Sequence, residues 1–385
     1  MSRAGLGGPA GTQFWLISVP LEGRSQQAAW AALKDKTEQE AELATSYRFN
    51  VPELRVGTLD SLLALSDDLA KICAFAENVT NQIGRQLQEL TDGEPLSIEG
   101  MPVESALTRF LWDEAKYPVR SHLRETVEKI STHISKMEDA LKGRAADYNG
   151  LKGQLTQLSR RAQGSLLVRD LAQIVTQEHV VESENLTTLI VVVNKYSQQE
   201  WIDCYETLSQ FVVPRSTKKL IEQGDYALYT VVVFRRVADE FRSEARAKGF
   251  QVRDYTHDPE ATVTRETEEG ALREGVSTKE QALLVWCRTS YVEAFTSWVH
   301  LSAVRVFSES IMRFGLPPQF LAALVRPQPK MDKRLRTALS ALFAGRDAHH
   351  WTAAEDTAAM GVGALSAEDL HPYVSLTLNI VGTGA

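Results

Sequence analysis

Residues 119–161 read VRSHLRETVEKISTHISKMEDALKGRAADYNGLKGQLTQLSRR and carry a long, regular apolar pattern. Apolar residues recur in alternating steps of four and three, with one position skipped near Arg144: Leu123, Val127, Ile130, Ile134, Met137, Leu141, Tyr148, Leu151, Leu155 and Leu158. A period close to 3.5 keeps one stripe of a helix facing a partner. No proline interrupts the stretch, so it predicts a helix of roughly 60 Å at about 1.5 Å per residue.

Two structures are compatible with this apolar stripe, which we call the seam. A helix buried in an ordinary bundle shows the same spacing, because its core-facing residues also repeat every three or four positions. The length of the seam favours the other interpretation, in which a helical rod holds two separate bodies apart. We take the rod as the working prediction.

Composition, charge and cysteine spacing exclude several classes of protein. The 385 residues are 43% hydrophobic and 24% charged, as in soluble globular proteins, and the net charge of −8 argues against nucleic-acid binding. Cys73, Cys204 and Cys287 lie too far apart for a CxxC metal site or a disulfide framework. The sequence has no apolar run of about 20 residues, and residues 1–13 lack the apolar core of a signal peptide. We therefore expect a cytosolic protein.

Before the seam, the sequence predicts a flexible tail followed by alternating strands and helices. The run FWLISVP, at 14–20, is short, dense and ended by proline, which is typical of a buried strand. Thr58 or Asp60 caps a helix with a broad apolar face. The predicted elements are a tail at 1–13, a strand at 14–20, helices at 25–44, 58–90 and 106–117, and an extended segment at 47–56.

After the seam, the sequence becomes rich in β-branched residues. The run LTTLIVVV, at 186–193, predicts a buried strand, and SQQE at 197–200 has the spacing of a capping box that would begin a helix. The order β-α-β-α-β predicts a separate α/β domain. Its predicted elements are a helical pattern at 166–175, strands at 186–193, 226–234 and 250–255, and helices at 197–211 and 235–248.

The last third of the chain is predicted to form one body together with the residues that precede the seam. Residues 257–282 are charged and contain Gly270 and Gly275, so we expect a partly helical connection there. The predicted elements that follow are a long aromatic helix at 283–314, a short basic helix at 333–343, a loop at 344–363 and a strand at 373–381. Strands at both chain ends predict one body built from both termini.

A search for chemical motifs finds little. The glycines at 5–11 precede the first predicted strand instead of following one, so they do not form a dinucleotide-binding loop. His349 and His350 are adjacent, and no HExxH or CxxC motif accompanies them. We expect no catalytic, metal or cofactor site. Three basic clusters, at 218–219, 235–236 and 330–336, indicate solvated surface or partner contacts.

Collinear sequence blocks resemble the C subunit of the vacuolar-type proton-translocating ATPase (V-ATPase). They cover nearly the whole chain after the tail. The blocks are FWLISVP at 14–20, VGTLDSLLALSDDLAK at 56–71, WDEAKYP at 112–118, RAADYNGLKG at 144–153, FVVPRST at 211–217, VFRR at 233–236, AVRVFSES at 303–310 and RFGLP at 313–317.

The resemblance implies a mixed α/β, elongated fold with a foot domain from both termini, a long helical neck and an inserted globular α/β head. The expected division is a tail at 1–13, the N-terminal part of the foot at 14–118, the neck helix at 119–163, the head at 164–256, the return connection at 257–282 and the C-terminal part of the foot at 283–385.

The resemblance also implies a non-catalytic stator component with no cofactor. In the family, the head holds a peripheral stalk of subunits E and G, and the foot holds a second such stalk and the membrane-embedded a subunit. ATP hydrolysis and rotation belong to other subunits, and the C subunit leaves when the soluble sector detaches reversibly. The implied location is cytoplasmic, at vacuolar, endosomal, lysosomal or plasma membranes through the V-ATPase, and some members bind actin.

From their predicted places in or beside loops of the head, we expect Lys218, Lys219 and Tyr255 to contact an E–G stalk. The resemblance itself does not supply these residues. Two other functions stay open from the residues alone: a coiled-coil cytoskeletal (actin-binding) adaptor, which the seam would allow, and a hydrolase or transferase with an unrecognised site. An adaptor should form a stable dimer, whereas a stator component should be a monomer.

Overall fold

The computed structural model describes residues 12–39, 42–167, 169, 171, 174–253, 255, 259–343 and 371–380. Long helices and antiparallel sheets both contribute, which confirms the mixed α/β class. In chain order the elements are β1 (Thr12–Pro20), α1 (Gln26–Lys34), β2 (Ala44–Arg48), α2 (Leu59–Leu90), β3 (Ser97–Ile98), β4 (Met101–Pro102), α3 (Val103–Thr108), α4 (Leu123–Gln163), β5 (Leu186–Asn194), α5 (Gln198–Cys204), β6 (Lys218–Gln223), β7 (Tyr226–Phe234), α6 (Ala238–Ala247), β8 (Gln251–Arg253), α7 (Pro259–Phe314), β9 (Phe320–Pro327), α8 (Asp332–Phe343) and β10 (Val374–Ile380).

The chain divides into two compact units. The first unit comprises Met1–Arg144 and Ala282–Ala385, and the second comprises Ala145–Gln281. The two divisions therefore fall inside helices, one within α4 and the other within α7. Of the predicted tail, residues 1–11 lie outside the described residues, while Thr12 and Gln13 already belong to β1.

The sheet of the first unit has the antiparallel order β10-β1-β9-β2. Strand β1 is central because it pairs on one side with the C-terminal strand and on the other with β9, so that Trp15 lies between Thr377 and Val325. Both terminal strands were predicted, but β9 was not. Its run FLAALVRP contains two alanines, which have little intrinsic preference for strands.

Alternation along β1 gives its two faces different neighbours. Trp15, Ile17 and Val19 point to a core completed by α1 and α8, which contribute residues such as Leu33 and Leu339. The opposite face lies against α7. There, the Ser310 hydroxyl lies 2.7 Å from the hydroxyl of Ser18, and both side chains are fully buried.

Helix α7 differs from the prediction. We expected a partly helical connection over 257–282 and a separate helix from Leu283, but one helix runs continuously from Pro259 to Phe314. Glycine in a helix interior costs about 1 kcal/mol relative to alanine. At Gly275 an added Cβ atom would lie at ordinary contact distance, 3.7 Å, from the Leu151 side chain, so α4 lies close to α7 there but does not require a glycine.

In the first unit, the seam of α4 is buried within the chain. Its members there are at most 7% exposed: Leu123, Val127, Ile130, Ile134, Met137 and Leu141. Helix α7 runs antiparallel beside it, because His133 lies 3.2 Å from Glu293, and further along α4 the Arg144 guanidinium lies 5.5 Å from the Trp286 ring. The seam is therefore covered by the same chain.

In the second unit, α4 and α7 again lie antiparallel. The Tyr148 hydroxyl donates to Glu280 at 3.2 Å, whereas Leu151, further along α4, lies next to Gly275, earlier in α7. Lys279 also forms a 2.9 Å ion pair with Asp147. Leu151 and the two seam leucines beyond it are only half-buried. The seam is thus covered more fully in the first unit than in the second.

The second unit also contains a sheet of order β6-β7-β5-β8, with every pair antiparallel. Helices α5 and α6 cover one face around Trp201, which is fully buried against the rings of Phe241 and Phe250. Leu166 and Val175 lie on the opposite face. The predicted β-α-β-α-β order was incomplete because β6 was not assigned.

Four predicted helices were wrong in extent or position. The α-helix expected at 25–44 ends at Lys34, and Ala44 already belongs to β2. The helix expected at 106–117 ends at Thr108, and aromatic contacts hold the irregular segment that follows. The helix expected at 197–211 ends at Cys204, and Ser197 precedes it without a side-chain cap bond; Asn194 instead caps the short 3-10 turn Lys195–Ser197 before α5, accepting from the Tyr196 amide at 3.0 Å. No helix forms over the described part of 166–175, whose apolar residues pack beneath the sheet. The loop predicted at 344–363 lies outside the described residues.

Two helical glycines of the first unit should respond oppositely to alanine. A Cβ atom at Gly84 would lie 3.0 Å from both Leu96 and Tyr291, which are buried, whereas nothing lies within 4 Å of a Cβ at Gly143. We expect Gly84→Ala to lower the free energy of unfolding by about 1–3 kcal/mol through overpacking. Gly143→Ala should raise it by up to about 1 kcal/mol through helix propensity. Chemical denaturation followed by circular dichroism measures both, and stabilisation by Gly84→Ala would contradict this packing.

Candidate partner-binding surface

Strand β6 forms one edge of the sheet in the second unit. Gly224, at a φ of +60°, and Asp225 turn the chain from β6 into β7, and among the strands that the structure describes β6 pairs with β7 alone. A register shift between Lys219 and Ile221 interrupts the pairing. Lysines and a local irregularity on an edge strand oppose indiscriminate strand addition. The edge is therefore suited to side-chain contacts more than to extension of the sheet.

Lys218 and Lys219 are both exposed on this edge, at the start of a strand that the sequence did not predict. Lys219 pairs with Glu222, and Lys195 approaches the same carboxylate at 3.6 Å. The hydrogen bond from Lys219 lowers the pKa of Glu222, which stays ionised. Lys218 has no ion pair among the residues that the structure describes. Two ammonium groups, those of Lys219 and Lys195, thus share the Glu222 carboxylate, and with Lys218 the four side chains carry a net positive charge.

Tyr255 lies at the opposite edge of the same sheet, just after β8. Its ring is half-buried against the apolar cluster beneath the sheet, and its hydroxyl donates to the Val175 carbonyl at 3.1 Å. The structure therefore brings Lys218 and Lys219 together but separates them from Tyr255 by the width of the sheet. Tyr255 also supports the fold of the unit through this packing.

An exposed aromatic residue near the lysines was missed from the sequence. Tyr196 is 87% exposed and follows Lys195 directly, at the point where Asn194 ends β5. Exposed tyrosine beside positive charge is typical of protein interfaces. The sequence signal was present in the run NKYS at 194–197, but we interpreted this stretch only as the start of a helix.

The other basic clusters have contacts within the chain. Arg235 forms a 2.9 Å ion pair with Glu182, and the Arg236 guanidinium lies 3.6 Å from the centre of the Phe211 ring. In the first unit, Arg336 lies 4.6 Å from the centre of the Trp15 ring and donates to His371 at 2.8 Å. These arginines are partly used for internal packing, which leaves the β6 edge as the stronger candidate surface.

The described residues contain no group of acidic, histidine or cysteine side chains that could hold a metal ion. His349, His350 and the glycines at 5–11 lie outside the described residues. Burial raises the pKa of the Cys73 thiol to about 12 and that of Cys287 to about 11, so both stay protonated at neutral pH. No helix among the described residues is long and apolar enough to cross a membrane.

Comparison with known proteins gives a consistent family. The family model described as the V-ATPase C subunit matches residues 14–374. The V-type proton ATPase C subunit of Arabidopsis thaliana is 48% identical over 374 residues, covering 96% of this chain and 99% of the relative. That of Hordeum vulgare is 45% identical over 315 residues, covering 79% and 89%. The C 1-A subunit of Danio rerio is 41% identical over 372 residues, covering 94% and 97%.

The matched region begins in β1 and ends at the start of β10, so it spans both described units. Relatives at this identity cover nearly all of the chain and of their own length. The resemblance inferred from the sequence blocks is thereby confirmed. The chain belongs to the V-ATPase C-subunit family.

Proposed function

We propose that this protein is a non-catalytic stator subunit of the V-ATPase soluble sector. In this role it bridges peripheral stalks of subunits E and G and the membrane-embedded a subunit, resists rotary torque and supports reversible assembly of the proton pump. The observation that carries the proposal is the family match over residues 14–374. The proposed location is the cytoplasmic side of vacuolar, endosomal, lysosomal or plasma membranes, where the protein is held through the V-ATPase.

The division into two units supports a bridging role. Each unit has its own antiparallel sheet and its own apolar core, so each can present a separate binding surface. Contacts made at two linked surfaces reinforce each other through a raised effective concentration, and loss of either one weakens the whole attachment. That property suits a protein that must hold firmly and yet be released.

For the second unit, we propose that the β6 edge contacts an E–G stalk through Lys218 and Lys219. Lys218 is exposed and lacks an ion pair among the described residues, so its charge is available to a carboxylate of a partner. Lys219 shares Glu222 with Lys195 and keeps the patch positive. Tyr255, at the other sheet edge, is proposed as a separate contact through the exposed part of its ring.

A coiled-coil cytoskeletal adaptor is the alternative that the seam first allowed. Burial of the seam against α7 in the first unit removes the main reason to expect self-association. We therefore expect light scattering on the purified protein to give the monomer mass of 42.8 kDa. Affinity purification from native cells should recover the E, G and a subunits. A stable dimer that recovers actin without those subunits would favour the adaptor.

Charge reversal tests the proposed β6 surface. The double variant Lys218→Glu/Lys219→Glu, in the full chain, should weaken binding to a purified E–G heterodimer by about tenfold or more, because two attractive contacts become repulsive. Isothermal titration calorimetry at low and at physiological salt measures the change, which should shrink as salt screens the charges.

The matched control is Arg246→Glu/Lys248→Glu, which reverses two exposed charges at the end of α6 in the same unit. This control changes the net charge by the same amount, so its affinity should stay close to that of the natural protein. Equal weakening by both double variants would indicate a general charge effect. Unchanged affinity of the Lys218/Lys219 variant would rule out this surface.

A further inference from the structure

The segment at 109–118, between α3 and α4, has no regular secondary structure but is held by several internal hydrogen bonds. The Trp112 indole donates to the Tyr117 carbonyl at 2.8 Å, which closes the segment on itself. The Asp113 carboxylate accepts from the amides of Ala115 and Lys116, each at 3.0 Å. We call this segment the bracket loop. These bonds link residues 112–117 within the loop itself.

His300 of α7 holds the bracket loop through a hydrogen bond to the loop backbone. His300 is fully buried, and its Nε2 atom accepts from the Asp113 amide at 3.0 Å. Its Nδ1 atom lies 2.7 Å from the Thr296 carbonyl. An amide only donates and a carbonyl only accepts, so Nδ1 carries the proton and Nε2 carries none. The bond to the loop therefore requires a neutral imidazole.

Aromatic rings surround this imidazole and shield it from water. The rings of Phe110, Trp112 and Tyr117 lie with their centres 4.9–5.0 Å from that of His300. The Tyr117 hydroxyl also lies 3.3 Å from the hydroxyl of Ser297, one turn along the same face of α7. Every ring of this cage except that of His300 belongs to the bracket loop, so the cage exists only while the loop is seated.

The charged groups near His300 belong to the bracket loop, and they shift the pKa of His300 in opposite directions. Burial is the main cause that lowers the pKa of His300, and the Lys116 ammonium lowers it further. The Asp113 carboxylate and the Thr296 carbonyl act in the opposite direction without reversing the net effect. The imidazole is therefore neutral at physiological pH when the loop is seated.

We propose that His300 is a pH-sensitive latch that seats the bracket loop on α7 while neutral and releases it when protonated. Protonation puts a hydrogen on Nε2, which then faces the hydrogen of the Asp113 amide and can no longer accept it. The cation also loses hydration inside the aromatic cage. Release would change the surface on which the loop displays Leu111, which is 75% exposed.

The sign of the pH dependence follows from linkage. A released loop exposes His300, whose pKa returns towards the ordinary value of about 6.5, while the seated state keeps the pKa below that value. The latch is therefore fully effective above about pH 6.5 and weakens as the pH falls below it. The population of the released loop rises by at most tenfold for each pH unit in that range. This inference does not depend on the proposed stator role.

Hydrogen exchange on the full chain tests the latch. Peptides that cover 109–118 should lose up to about tenfold in protection between about pH 7.5 and 5.5, after correction for intrinsic exchange rates, whereas peptides of β1 should not. His300→Gln keeps an amide oxygen that can accept from Asp113 but cannot titrate. Its loop protection should be independent of pH over the same range.

The control is His133→Gln. His133 lies on α4, is exposed, and pairs with Glu293, which lies on α7 two turns before His300. This variant should keep the pH profile of the natural protein. Constant loop protection in the natural protein, or an identical pH dependence in His300→Gln, would overturn the proposal. If the glutamine variant does not fold, the natural protein decides alone, because loss of protection confined to 109–118 supports the latch and uniform protection refutes it.

Discussion

Burial of the α4 seam is the constraint on which the rest of the structure depends. A helix with apolar residues every three or four positions must cover that stripe. In the first unit the seam is covered within the chain, with α7 beside α4, and Ile130 and Ile134 have no exposure. Because α7 lies antiparallel to α4 in the first unit, the seam is covered by residues more than 100 positions further along the sequence. The sheet of the second unit, with its own core around Trp201, is formed by residues between these helices.

The same logic explains why both chain ends meet in the first unit. Strand β1 has apolar residues on both faces, so each face needs a covering layer. Helices α1 and α8 cover one face, and α7 covers the other through contacts such as Ser310 with Ser18. Strand β10 then pairs along β1 from Thr12 to Ser18. The unit therefore depends on residues separated by most of the length of the chain.

The proposed partner surface and the bracket loop are each held in place by contacts within the chain. Among the described residues, the largest pKa shifts belong to buried thiols and tyrosines. Burial raises these pKa values, so the groups stay protonated at neutral pH. The positive β6 edge is placed by strand pairing, and the bracket loop is placed by a neutral His300. Family membership, the exposed lysines and the two separate cores are consistent with a protein that binds other proteins at more than one place.

The sequence by itself determined the long helix, the apolar strands at 14–20, 186–193 and 226–234, and the family, because periodicity, β-branched runs and collinear motifs are all local signals. Only the tertiary structure decided that β9 lies beside β1 and that α7 continues through Gly270. It also decided that Tyr255 packs inward. These outcomes depend on partners far away along the chain, whose packing outweighs the weak local preference of alanine, glycine or a lone tyrosine.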